Sequence, residues 1–133
     1  MMKLVSICAI SALGIAAPAL AQNVDAGKML YEQSCAGCHG ATGAGAGELA
    51  DLLKVDTPDL TKLSARNDGE FPMLKVIHII DGRTGVRAHG GPMPVFGHVY
   101  TLSSATGVED YSSTIEVRGR ILSLAMYLES IQQ

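Results

Sequence analysis

The sequence predicts an all-α fold, and three observations carry that prediction. Near the C-terminal end, Val117, Ile121, Leu124, Leu128 and Ile131 recur at helical intervals. A shorter apolar stretch, residues 73–81, is framed by Pro72 and Gly82, the order that suits a helix start and stop. No part of the chain has the alternating pattern of a strand-rich region, and 133 residues suit one domain better than two.

The first 21 residues stand apart from the fold. Lys3 precedes an apolar run over residues 4–17, and Ala19-Leu20-Ala21 has the small-x-small form of a processing site. This is the three-part pattern of a secretory signal, with the cut expected between Ala21 and Gln22. Residues 1–21 are read as signal peptide and residues 22–133 as the domain. An uncleaved anchor is the alternative, but the run is short against the ~20 apolar residues that span a bilayer. Cys8 does not suit a lipid attachment site, because Ile7 precedes it where a small residue is wanted.

Processing removes Lys3 and no acid. Nine Lys and Arg then face thirteen Asp and Glu, a net charge of −4 with neutral histidines. With no basic run, nucleic acid is not an expected partner. Aromatic residues make up only 5% of the chain and Trp is absent, so large rings supply little core volume. A bulky apolar cofactor would fill the deficit.

Taken in order, Asn23 or Asp25 is expected to cap a first helix ending near Ser34, with Gly27 and Tyr31 on one face. Residues 40–47 are a Gly/Ala-rich loop, residues 48–54 a short helical turn, and residues 64–69 a polar loop. The second helix covers residues 73–81. Residues 83–107, rich in Gly and Pro, read as one long ordered loop wrapped around something, as functional loops of this length are. Ser113 is expected to cap the last helix, with Glu116 completing a capping box. Gly119 within it costs ~1 kcal/mol against Ala and suggests close approach of another helix.

The chemistry lies in Cys35-Ala36-Gly37-Cys38-His39. Cys-x-x-Cys-His is the attachment signature of c-type haem. Two thiols one helical turn apart reach the two vinyl groups of one porphyrin edge, and the adjacent imidazole lies beneath the ring to bind iron. Cys-x-x-Cys also serves thioredoxin-like redox chemistry, which expects a βαβ context, and zinc sites, which want a second donor pair. Neither context is visible.

For the opposite face of the iron, Met29, Met73, Met93 and Met126 remain after processing. Met93 sits between Pro92 and Pro94, which restrict the backbone and lower the cost of holding the thioether in place. Met29 and Met126 are expected in the core and Met73 in a pocket wall. His78, His89 and His98 keep a bis-His alternative open.

At these residues the chain resembles class I cytochromes c. The resemblance rests on Gly27 and Tyr31, the Cys35–His39 motif with Gly40, Thr57-Pro58-Asp59-Leu60, Met93-Pro94, and Leu124 with Tyr127. It implies three to five helices wrapped around one covalent haem c, with the N- and C-terminal helices crossing through Gly27 and Tyr31 against Leu124 and Tyr127. It also implies that the Pro58 carbonyl accepts a hydrogen bond from His39 and that Leu60 packs on the haem. Phe96 stands where relatives often carry a Trp after the Met, which removes an indole donor. Arg83, Arg87 and His89 either neutralise haem propionates or are solvated loop charges.

The function expected is electron transfer by a soluble periplasmic carrier that is not an enzyme. His39 and Met93 bind the iron, leaving no open position for substrate. Its partners are a protein donor and acceptor in weak, transient contact, with the chain itself a monomer and membranes approached only through partner complexes. A haem subunit of a larger oxidoreductase, and a five-coordinate haem sensor, are the alternatives.

Overall fold

The computed structural model describes residues 19–83 and 93–133, with side chains from residue 23 onward. Among the described residues the secondary structure is helical, with no strand. The elements are α1 (Ala19–Ser34), α2 (Ala36–His39), α3 (Met73–Asp81), α4 (Phe96–Leu102) and α5 (Tyr111–Ser130), with 3-10 turns at Ala50–Leu52 and Leu60–Lys62. None of these helices is long and apolar enough to cross a membrane.

Helix α5 is the spine. Val117, Ile121, Leu124, Ala125, Tyr127 and Leu128 are buried on it, and α1, α3 and α4 all pack against it. Its most extensive partner is α1. The two approach closely at Gly27, where a side chain would run into the Ser123 carbonyl and come within 2.9 Å of Tyr127 Cβ. One turn on, the fully buried Tyr31 ring lies 5.2 Å from the Tyr127 ring, centre to centre. Each such aromatic pair adds ~0.5–1.5 kcal/mol beyond the area it buries. The crossing implied by the resemblance is therefore present, though Gly27 meets Ser123 and Tyr127, while Leu124 turns into a cavity.

Several local expectations are corrected. Helix α1 begins at Ala19, so neither Asn23 nor Asp25 caps it. Ala19, Leu20, Ala21 and Gln22 are good helix formers and continue the helix backward across the expected cut. Helix α5 is capped three residues earlier than Ser113. The Asp110 carboxylate accepts the Ser113 N–H (2.7 Å), and the Ser113 hydroxyl accepts the Asp110 N–H (2.9 Å). Both halves of a capping box are present, with Ser in the place usually held by Glu or Gln. Glu116 pairs instead with Arg120, one turn along the helix.

The long loop is also interrupted. Residues 96–102 form α4, whose Phe96 and Tyr100 are buried four residues apart. Seven residues give too short a window for periodicity to declare a helix. Around Gly119 no atom approaches where a side chain would stand, so the close contact is made at Gly27. Met29 is 60% exposed, contrary to the expected core position, and Met126 is half-buried. Helix α3 keeps its expected bounds, and Gly82 ends it at a positive φ of 65°, donating its N–H to the His78 carbonyl at 3.0 Å.

The two glycines predict opposite outcomes in denaturation of the haem-loaded protein. Gly27→Val forces α1 and α5 apart and lowers stability by at least ~1–3 kcal/mol. Gly119→Ala meets nothing and raises it by up to ~1 kcal/mol.

Candidate haem site

A cavity of about 550 Å³ lies between α1, α2, α3, α5 and the loops at residues 53–63 and 93–96. That volume is within the ~300–1,000 Å³ typical of cofactor sites. Most of its wall is apolar: Val76, Ile79 and Ile80 from α3, Leu124 and Leu128 from α5, and Leu53, Leu60 and Leu63 from the loops. Cys35, Cys38 and His39 line it together, and Pro58, Met93, Pro94 and Phe96 line it as well.

Local backbone bonding explains how the motif is presented. The Cys35 N–H donates to the Tyr31 carbonyl (2.8 Å), and the His39 N–H donates to the Cys35 carbonyl (2.9 Å). Helix α2 thus follows α1 through Cys35 alone, and Cys35 and Cys38 both line the cavity. The Tyr31 hydroxyl donates to the Gly40 carbonyl (2.6 Å), tying the buried α1–α5 contact to the residue after His39. Burial, with Cys35 and Tyr127 adding to it, pushes the Tyr31 phenol up to about 12.

Cys35 and Cys38 are not joined in a disulfide. Burial, reinforced by Cys38, pushes the Cys35 thiol up to about 11. A neutral thiol is a poor nucleophile toward a disulfide, so Cys35 is not poised for thiol exchange. Among the described residues no cluster of three or more His, Cys, Asp or Glu side chains stands ready for a metal ion, so a zinc site built on the pair lacks its further donors.

His39 is half-buried, and its Nδ1 lies 3.3 Å from the Pro58 carbonyl. With Nδ1–H donating there, Nε2 is the nitrogen free to bind a metal. Burial lowers the His39 pKa, while the Pro58 carbonyl raises it in part. The net direction favours neutral imidazole, the form that ligates. Pro58 is itself held by a tight loop. Gly45, at φ 93°, lies so close to the Thr57 carbonyl that a side chain would approach its oxygen to 2.5 Å.

The remaining candidates separate clearly. His78 and His98 are exposed and do not line the cavity, which weakens the bis-His alternative. His89 and Arg87 lie outside the described residues. Arg83 turns away to two carboxylates, Asp81 (2.9 Å) and Glu109 (3.4 Å). Met73 packs against the core cluster and is not part of the cavity wall, a correction to its expected place. Phe96 is buried in the wall, its ring 5.6 Å from Tyr100.

Sequence reasoning missed Thr57 as a wall residue. Its Oγ1 is buried without a hydrogen-bond partner among the described residues. A buried hydroxyl left in that state costs ~1–3 kcal/mol, a cost that an occupant with a polar atom of its own would relieve. A planar, largely apolar group with a polar periphery meets that demand, and the donor set of two thiols, one imidazole and one thioether suits an iron porphyrin. The residues fit haem.

A family model described as Cytochrome c matches residues 24–109. No curated protein and no solved structure matches the chain.

Gly45→Ala is expected to displace the Thr57–Pro58 carbonyls and loosen the hold on His39 Nδ1. A less basic imidazole stabilises oxidised iron less, so redox titration should show a higher midpoint potential than the unsubstituted protein. An unchanged potential would mean that the Pro58 carbonyl does not tune His39.

Proposed function

The chain belongs to the cytochrome c family, and from that membership we propose that it is a periplasmic electron carrier whose one haem iron is held between His39 and Met93. Covalent haem c and a haem-based electron-transfer role come with the family. The haem supplies a one-electron iron couple. The chain's own residues decide how that couple is held, insulated and approached.

Cys35 and Cys38 hold the group through thioethers, so it is not lost outside the cytoplasm. His39 offers Nε2 while Pro58 fixes its ring through Nδ1. Met93 offers a soft thioether, which favours Fe(II) over Fe(III) and raises the potential. The apolar wall of Val76, Ile79, Ile80, Leu124 and Leu128 excludes water and penalises the extra charge of the oxidised state. Leu60 packs on the haem from the Pro58 side.

One observation carries the reading: the His39 imidazole and the Met93 thioether line the same cavity as the two thiols. With His39 and Met93 both offered to the iron, no position on it would be left for substrate, which is the behaviour of a carrier and not of an enzyme. The Lys3, apolar-run and Ala19-Leu20-Ala21 pattern supports export with removal of residues 1–21. Donor and acceptor are proteins met transiently by a monomer, with membranes reached only through partner complexes.

Met93→Ala tests the assignment. The methionine–iron charge-transfer band in the near-red of the oxidised spectrum should vanish, the potential should fall, and carbon monoxide should bind the reduced protein rapidly. Retention of the band removes Met93 from the iron. Rapid carbon monoxide binding to the unsubstituted protein would favour a sensor.

A further inference from the structure

We propose that residues 48–56 form the docking face for the redox partner, and that this partner presents a cationic surface around an apolar centre. The proposal rests on the electron-carrier reading above.

Position is the first argument. Leu53, Val55 and Asp56 line the cavity together with Cys35 and Cys38. Tunnelling between redox centres falls steeply with separation, which favours a partner seated on the wall of the haem cavity over one seated elsewhere. The segment is also fastened to the motif. The Gly47 N–H donates to the Cys38 carbonyl (3.1 Å), and the Leu49 N–H donates to the Gly37 carbonyl (2.8 Å). The Ala50–Leu52 turn then projects from that anchor. A partner bound here is held in fixed register with the thiols.

The second argument is chemical. Leu52 is 78% exposed and Leu49 49%, and neither lines the cavity, so no cofactor in it covers them. Around them stand three carboxylates, Glu48, Asp51 and Asp56, against one ammonium, Lys54. None of the four is in an ion pair among the described residues. An apolar centre with a charged rim is the anatomy of a transient interface, and the rim charge selects the partner and speeds encounter.

The charge also selects the occupant. A second copy of this chain docked through the same face would set carboxylates against carboxylates. Other exposed apolar side chains, Leu102, Val108, Tyr111 and Ile115, lie on α4, α5 and the segment between them, and among the described residues none of these has a backbone hydrogen bond to residues 35–39.

The test compares oxidation of the reduced, haem-loaded protein by two small reagents in stopped flow. Tris(phenanthroline)cobalt(III) is cationic with an apolar periphery, and ferricyanide is anionic. One double variant, Glu48→Gln with Asp51→Asn, neutralises the face. A control, Asp25→Asn with Glu129→Gln, removes the same net charge from exposed positions on α1 and α5. At low ionic strength the face variant should lose roughly tenfold in rate with the cobalt complex, and the control little. Ferricyanide should speed up with the face variant, and high salt should erase both differences. Midpoint potentials, measured in parallel, separate docking from driving force. Leu52→Ser should slow the cobalt reaction without altering its salt dependence. Equal slowing in the two double variants overturns the proposal, since net charge alone then explains the rates. A haem that neither reagent oxidises removes the electron-carrier reading, and this proposal with it.

Discussion

The crossing of α1 and α5 at Gly27 and Tyr31 governs everything downstream. At Gly27 the absence of a side chain lets α1 settle onto the Ser123 carbonyl. One turn later Tyr31 is fully buried against Tyr127, and its hydroxyl reaches the Gly40 carbonyl. Helix α2 follows α1 through Cys35 alone, so the angle of this crossing sets where Cys35, Cys38 and His39 enter the cavity. This close packing is thus placed beside the chemistry, where a misplacement of an ångström is expensive.

Opposite that packing, residues of α3 and α5 line a cavity of about 550 Å³. Protein interiors are close-packed, and a void of this size is tolerated only where something fills it. In a cytochrome c that filler is the haem, which makes the cofactor part of the hydrophobic core as well as the redox centre. The scarcity of aromatic side chains has the same cause: much of the large-ring volume of this domain is not encoded in its amino acids.

Polar groups in this setting are few and each is constrained. Burial favours the neutral form of His39, and Pro58 orients its ring. Pro58 in turn sits in a loop fixed by Gly45, whose positive φ and close backbone contact leave no room for a side chain. Thr57 brings a buried hydroxyl to the wall with no hydrogen-bond partner among the described residues. The site is therefore organised by backbone geometry in the loop before the Leu60–Lys62 turn as much as by the residues of the motif.

Three features were determined by the sequence alone. The motif declares covalent haem because its chemistry depends on spacing within one helical turn. The long periodicity of α5 and the Pro72/Gly82 frame of α3 declare helices because both signals are local. Tertiary structure decided the rest. Short α4 and the Asp110 cap emerge only when Phe96, Tyr100 and Ser113 are buried. Gly119, inside a helix, suggests a close contact and has none, while Gly27, which the resemblance implies at the crossing, lies against Ser123, since a close approach is a property of two helices and not of one. Met29 passes for core in the sequence and lies in solvent, for the same reason. Spacing fixes what a segment can form, and the distances between segments far apart in the chain fix which face it buries.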